Sequence, residues 1–299
     1  MKTICSINFE NMHAYLILAH TNYHQLQQLV TSLDDERNDI YIHIDKKSDT
    51  TNLHLRTSCS KLYFSEKEDV RWGGVSQLNS EYRLFELASQ HKYSYYHLIS
   101  GFDLPLHNQD YIHSFFDQHQ GTEFIGFGRK DWDIKNRVYC RNLCGRQMRH
   151  PIKVIRYACK AIRLLGNKLQ NLTSCYLTSN KKEKLDYRYG SNWVSVTHDF
   201  VLALIAEKQK LLNMYRYSYC PDEIYKQTFA WNSRFRERLF DVEDEFNGCM
   251  REIDWNRGCP YVYRNDDFEL LSHSSKLFAR KFDERVDGEI INRIFNQII

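Results

Sequence analysis

The stretch that most constrains this chain is residues 14–19 (AYLILA), a run of apolar residues with no polar side to turn toward water. A strand of that kind is buried on both faces, as parallel strands are when helices cover the sheet. The periodicity then changes. Leu26, Leu29, Val30 and Leu33 recur at helical spacing, with Thr21 or Asn22 placed to cap them. Residues 40–44 (IYIHI) make a second apolar run, which ends at Asp45-Lys46-Lys47-Ser48. Strand, helix and strand over about thirty residues form a βαβ unit. In open sheets of this type ligands lie beyond the carboxyl ends of the strands, so His20 and Asp45 are expected at a nucleotide-binding rim. No G-x-G-x-x-G and no P-loop occurs, which disfavours a dinucleotide or ATP cradle.

The alternation continues. A short strand is expected at 62–64, a turn at Val70-Arg71-Trp72-Gly73-Gly74, and a helix at 76–88 with Leu78, Tyr82, Phe85 and Leu87 on its apolar side. A strand at 95–99 (YYHLI) runs into Ser100-Gly101-Phe102-Asp103-Leu104-Pro105, and another is expected at 123–127. The fold class is α/β, with a central, mostly parallel sheet flanked by helices. Asp131-Trp132-Asp133 has the D-x-D letters with which many nucleotide-sugar transferases hold a divalent ion against a diphosphate. It lies in a polar stretch after 123–127, and no metal is assigned to it.

A length of 299 residues suits one large α/β domain or two small ones. A single domain is expected: a nucleotide-binding half (13–130), a basic insertion (131–188), and an acceptor and catalytic half (189–299). The net charge of +3 is too small to argue for nucleic acid as a partner. Nine cysteines without a zinc-like set read as reduced thiols of a cytosolic protein. Residues 1–12 lack the apolar core of a signal peptide, and no window is apolar enough to span a membrane.

Between 137 and 168 the chain carries Arg137, Arg141, Arg146, Arg149, Lys153, Arg156, Lys160, Arg163 and Lys168 and not one acid. Pro151 can open a helix there, with Ile152, Ile155, Cys159, Ile162 and Leu165 as an apolar stripe. Two readings are open. The stripe docks on the core, or the helix lies on an anionic membrane leaflet at the inner face of the cell membrane.

Residues 187–196 (YRYGSNWVSV) form a loop entering a strand, in which Gly190-Ser191 lets backbone approach a ligand. Trp193 stacks on a pyranose or is simply a buried strand residue. A helix follows at 199–212, and then Pro221-Asp222-Glu223 before an aromatic run at 224–231. Two acids behind a proline suit the start of a helix, where the macrodipole favours them. The sharper reading makes Glu223 a general base and leaves Asp222 to the dipole. The two are neighbours, so they cannot flank one bond as a glycosidase pair must. After a loop at 246–260 and a short helix at 267–271, residues 277–283 (LFARKFD) place Arg280 and Lys281 in an apolar frame. Such a pair suits a diphosphate, or is an ordinary solvated pair.

Six stretches stand in a familiar order: 14–20, Ile42-His43-Ile44-Asp45-Lys46-Lys47-Ser48, 100–105, Gly190-Ser191-Asn192-Trp193, Pro221-Asp222-Glu223, and 277–283. In this order the sequence resembles the core-2/I-branching β-1,6-N-acetylglucosaminyltransferases, a family that includes the peptide O-xylosyltransferases. The resemblance runs from 14 to 283. It implies a GT-A-like fold, a UDP-sugar donor, inversion at the anomeric carbon and no metal or other cofactor. By matching motif, Leu18, Ala19 and His20 line the uridine site, Asp45 and Lys47 take the uracil and ribose side, and Trp72 stands beside the nucleotide. Glu223 matches the catalytic base and Lys281 a lysine on the phosphates. Arg257 is the best match for a second phosphate cation, with Arg264 as the alternative. Asp103, Gly190, Ser191 and Trp193 fall on the acceptor side.

The branching enzymes carry an acceptor-orienting glutamate just after the 123–127 strand, where Gly126 stands here, which speaks against a mucin-type acceptor. The secretory anchor and paired cysteines of the animal enzymes are also missing. The resemblance therefore implies a bacterial-type cytoplasmic enzyme that uses a glycan or lipid-linked glycan acceptor to build a surface polysaccharide. GlcNAc is the expected donor sugar, with xylose or glucuronate as alternatives. A non-catalytic glycan- or nucleotide-binding module is the alternative from another class.

Overall fold

The computed structural model describes residues 12–129, 133–144, 147–176, 180 and 184–299. The reading of the first eleven residues, Arg146, and Asp131-Trp132 of the D-x-D letters lie outside the described residues.

The apolar run of 14–19 is the middle of the sheet. It forms β1 (His13–Ala19), followed by α1 (Tyr23–Ser32), β2 (Asn38–Ile44), β3 (Lys61–Phe64), α2 (Ser76–Ala88) and β4 (Tyr95–Ser100). β1 pairs in parallel with β2 on one side and β4 on the other. Because side chains alternate along a strand, β1 feeds two cores. Ala14 and Leu16 pack with Tyr82 and Phe85 of α2 on one face. Tyr15, Ile17 and Ala19 pack with Leu26, Leu29 and Val30 of α1 on the other. The helix expected at 76–88 has those bounds. The capping expected of Asn22 is not found. Asn22 is left-handed (φ 56°), makes no cap bond, and donates its amide to Asp283 at 2.9 Å.

The chain continues through β5 (Asp103–Pro105), α3 (Gln109–Gln118), α4 (Lys153–Thr173), β6 (Val194–Thr197), α5 (His198–Ala206), α6 (Lys208–Tyr215) and α7 (Tyr225–Trp231). It ends with α8 (Glu245–Cys249), β7 (Arg251–Ile253), α9 (Phe268–Ser272), β8 (Phe278–Arg280) and α10 (Gly288–Ile298). The main sheet has the order β3-β2-β1-β4-β6, parallel except for β6, and a small sheet has the order β5-β8-β7. This is the mostly parallel α/β architecture expected. Two expected elements differ. The helix at 199–212 is broken at Glu207 into α5 and α6. Residues 123–127 form no strand; they make two single bridges, Glu123 to Leu239 and Phe124 to Ser195.

The basic segment overturns the first of its two readings. α4 turns polar side chains inward: Asn167 and Gln170 are buried, with only Cys159 of the expected stripe beside them. Gln170 accepts from the Arg141 amide at 2.9 Å, and Asn171 donates to Asn136 at 2.6 Å. The apolar side faces out, with Val154 77 %, Leu165 67 % and Leu172 74 % exposed. Helical periodicity locates an apolar stripe without saying which way it points.

One interior contact fastens the halves together. Lys226 of α7 and Glu81 of α2 form an ion pair at 2.6 Å with both side chains fully buried. The Tyr225 hydroxyl also donates to Glu81 at 2.6 Å, and the Lys226 ammonium donates to Asn192 at 2.6 Å. Removing one partner strands a buried charge, so Lys226→Met is expected to cost about 3–5 kcal/mol, read as a lower urea midpoint. Lys226→Met with Glu81→Leu should recover most of that loss; a single variant as stable as wild type would show that the pair fastens nothing.

Candidate active site

The carboxyl ends of the parallel strands build one wall. β1 ends in Ala19 and His20, and the Ala19 carbonyl accepts from the Asp45 amide at 3.1 Å, so the two expected rim segments are neighbours. Leu18 is partly exposed there and Ala19 is buried. Lys47 folds back on Asp45 at 2.8 Å and also reaches Asp69 at 2.8 Å and the Val70 carbonyl at 2.6 Å. That network carries the chain from the rim to Trp72. The Trp72 ring meets Tyr219 edge-on at 5.7 Å. The turn between them needs Gly73, whose φ is +74° and whose carbonyl accepts from the Cys220 amide at 2.9 Å. Rim and Pro-Asp-Glu stretch are thus brought together.

Pro221–Glu223 is a single 3-10 turn entered through a left-handed Cys220 (φ 46°). Glu223 is partly exposed, while Asp222 is buried. Gly190 donates its amide to the Glu223 carbonyl at 2.9 Å. Only glycine fits at 190, since a Cβ would lie 2.0 Å from the Gly126 carbonyl oxygen. The Glu223 carboxylate accepts from Arg137 at 2.6 Å, and the same guanidinium binds the carbonyls of Tyr219 and Cys220 at 3.1 and 2.8 Å. A buried arginine therefore fixes both the turn and the direction of the carboxylate. Asp222 does not serve the helix dipole as expected. One of its oxygens accepts from Gln77 at 2.9 Å, and burial, then Glu223 and Glu81, push its carboxyl up to about 7.

A second carboxylate borders the same loop. Asp244 caps α8, accepting from the amides of Phe246 and Asn247 at 2.9 Å each, and so presents Glu245 to the first residues beyond Phe124. A Cβ on Gly128 would sit 3.0 Å from a Glu245 carboxylate oxygen, and one on Gly126 would sit 2.3 Å from its carbonyl oxygen. Burial first, then the charge of Glu223, push the Glu245 carboxyl up to about 7. Gly126 is thus not simply a lost glutamate. It is the space that Glu245 occupies from another element.

Next to the rim, Lys281 lies over the ring of Phe102 at 4.6 Å, and the His20 ring is tilted against that ring at 5.4 Å. Arg280 stacks over Trp193 at 4.4 Å, so Trp193 is already covered on one face. Asp103, expected on the acceptor side, is buried beneath Arg280 and bonded to it at 2.6 Å, with its other bonds to Ser100. It holds Arg280 and does not face a ligand. The Ser191 carbonyl accepts from Gln227 at 2.6 Å, which sets the loop after Gly190. Arg257 is bonded through Nε to Asp254 and through Nη1 to Asp267, the latter at 2.6 Å. Arg264 is exposed at the entrance to a turn at Asn265–Asp267.

Arg137 and Glu245 were missed from the sequence. Arg137 was one cation among nine, and nothing local marks the one whose partner lies at 223. Glu245 had a signal, the glycines at 126 and 128, which alternate onto one side and clear room for a neighbour. Among the described residues no group of three His, Cys, Asp or Glu side chains is placed to hold a metal.

Asp222 carries a consequence for pH. Its folded pKa is raised from 3.8 to about 7, so the folded state holds that proton more tightly than the unfolded chain. Its contribution to stability is present at low pH and is lost as pH rises toward the folded value. Asp222→Asn removes that loss. The melting temperature of the variant relative to wild type should climb between pH 4 and pH 7 and then level off. A flat difference would mean that Asp222 is ionised in the fold.

Comparison with known proteins identifies the frame in which this site sits. The sequence model described as Core-2/I-Branching enzyme matches residues 13–273. A human N-acetyllactosaminide beta-1,6-N-acetylglucosaminyl-transferase is 22 % identical over 90 % of this chain and 68 % of its own length. A xylosyltransferase of Ciona intestinalis is 22 % identical over 94 % of this chain, and human xylosyltransferase 2 is 23 % identical over 93 %. The chain spans about a third of those two proteins, 33 % and 32 %. The apo crystal structure of mouse xyloside xylosyltransferase 1 covers 90 % of this chain and 97 % of its own, at 12 % identity and a TM-score of 0.37. With the family model matched over most of its length, the chain belongs to the core-2/I-branching enzyme family, and its named relatives are glycosyltransferases.

Proposed function

We propose that the protein is an inverting, metal-independent glycosyltransferase that moves a sugar, GlcNAc in first place, from a UDP-sugar to a glycan acceptor in β linkage. The observation that carries the reading is the Glu223 carboxylate, partly exposed and aimed by Arg137 at 2.6 Å, in a stretch that Tyr219 joins to Trp72 beyond the Asp45 rim. The uridine lies along Leu18, Ala19 and His20, with Asp45, Lys47 and Trp72 beside it. An acceptor hydroxyl on the side of Gly190, Ser191 and Trp193 attacks C1 of the donor sugar. The C1–O bond to the diphosphate breaks on the opposite face, Glu223 takes the hydroxyl proton, and an α-linked donor yields a β product. Lys281, held in a half-buried place, offsets the charge that grows on the leaving UDP. Arg257 is engaged by Asp254 and Asp267, which weakens its claim to the second phosphate cation.

Glu223→Gln keeps the shape of the side chain and removes the base. It is expected to lower transfer by about 100-fold or more while UDP affinity stays within about threefold. Near-normal turnover in that variant would sink the assignment, and activity lost in EDTA and restored by Mn²⁺ would sink metal independence. Release of UDP from a panel of donors separates GlcNAc from xylose or glucuronate; the relatives named xylosyltransferases keep xylose in view. A protein that binds glycan and releases no UDP from any donor would be a binding module.

A lipid-linked acceptor and a place on the inner face of the cell membrane belong to the same proposal. The support is α4, whose outward apolar side is flanked by Lys153, Arg156, Lys160 and Lys168 in a stretch without acids. An amphipathic helix of this composition lies in the headgroup layer, and each cation near an anionic surface adds about 1 kcal/mol. No described helix is long and apolar enough to cross a membrane. The protein is expected to sediment with phosphatidylserine-containing vesicles at physiological salt and to ignore neutral ones, and Leu165→Glu with Leu169→Glu should abolish the binding. Dimerisation that those substitutions abolish, without vesicle binding, would give the face to a second copy instead.

A further inference from the structure

The cations around the expected phosphate position divide into two sets. Arg280 is paired with Asp103, Arg285 with Asp283 at 2.8 Å, Arg137 with Glu223, and Arg257 with Asp254 and Asp267. Lys281 and Arg149 have no carboxylate partner among the described residues. Each is held by an aromatic face instead. Lys281 lies over Phe102 at 4.6 Å and Arg149 over Trp72 at 3.9 Å. Burial first, then Arg280, lower the Lys281 pKa against the opposing charge of Asp283; Arg285 and Arg149 add to the lowering, so Arg149 lies within electrostatic reach of Lys281. Cations gathered within reach of one another favour a bound anion, which offsets their repulsion. Aromatic faces suit that task, because they fix a cation in place without neutralising it.

We propose that Arg149, delivered by the basic segment, is the second cation on the donor diphosphate and stands with Lys281 in the role that the family resemblance gives to Arg257. The inference rests on the UDP-sugar reading above. Arg149 reaches the nucleotide side by stacking on Trp72, whose edge rests on Tyr219 two residues before Pro221. A second stacked arginine, Arg163 over Tyr219 at 4.1 Å, ties the start of the Pro-Asp-Glu stretch to α4. A guanidinium presents a planar fork to phosphate oxygens, so it adds geometry to the point charge of Lys281. The nucleotide is thus held between the rim and the basic segment, and the segment is part of the donor site.

The test is titration calorimetry with UDP and ligand-observed NMR with uridine, which lacks the phosphates. Arg149→Gln keeps a planar group over Trp72 and removes the charge. It is expected to weaken UDP by about tenfold or more, to leave uridine unchanged, and to flatten the salt dependence of UDP binding. Arg257→Gln should leave UDP close to wild type. Unaltered UDP binding in Arg149→Gln would overturn the proposal. Equal losses for UDP and uridine would also overturn it, because Arg149 would then only support Trp72. A loss that appears in Arg257→Gln instead would return the role to that residue. Wild-type protein that binds uridine and UDP equally, or neither, would overturn the donor reading itself.

Discussion

The buried pair of Lys226 and Glu81 is the contact on which the rest of the site depends. Two charges without solvent are tolerable only at close range and with further hydrogen bonds, here from Tyr225 to Glu81 and from Lys226 to Asn192, although Glu81 Oε1 is buried without a partner. A small slide of α7 along α2 would stretch the pair in a medium that screens it poorly. The pair therefore sets the register of α7 against the sheet, and with it the height of the turn at Pro221–Glu223. The loop at 190–193 is held from the same point, since Asn192 is a partner of Lys226. The close approach of Gly190 to Gly126 and the bond from Gly190 to Glu223 follow from that placement.

The charges gather by sign. Glu223 acts on both Asp222 and Glu245, while Lys281 stands among Arg280, Arg285 and Arg149. A transfer of the proposed kind needs this separation. A base close to the departing diphosphate would be repelled by it, and a cation close to the base would weaken it. Arg137 is the exception, and its geometry shows why it is tolerated. Its guanidinium is also spent on two carbonyls, so it orients Glu223 while sharing its hydrogen bonds with the backbone. These acids are thus prepared in different ways: Glu223 by an arginine, Asp222 and Glu245 by burial.

What could be read from the sequence follows the range of the forces involved. β1, β2, α2 and β4 were legible because unbroken apolar runs and helical spacing are local signals of burial. The interval 123–127 was misread because its residues are extended yet make only isolated bridges, and extension alone does not make a ladder. The break at Glu207 leaves no mark in an amphipathic pattern that continues past it. Among the candidate residues, the motif order pointed to Glu223, Lys281 and the rim. Asp103 and Arg257 each have a nearby partner of opposite charge, and a motif does not show whether a charge is already engaged. Arg137 joins Glu223 across 86 positions, a separation at which only the fold decides.

α4 is fastened by side-chain amides to the backbone and side chains around Asn136 and Arg141, and its outer residues support nothing beneath them. Substitutions on that outer side leave core packing untouched, so it is free to drift in sequence while the inner side is held. What that side meets can therefore change by a handful of outward substitutions, with no compensating change in the sheet.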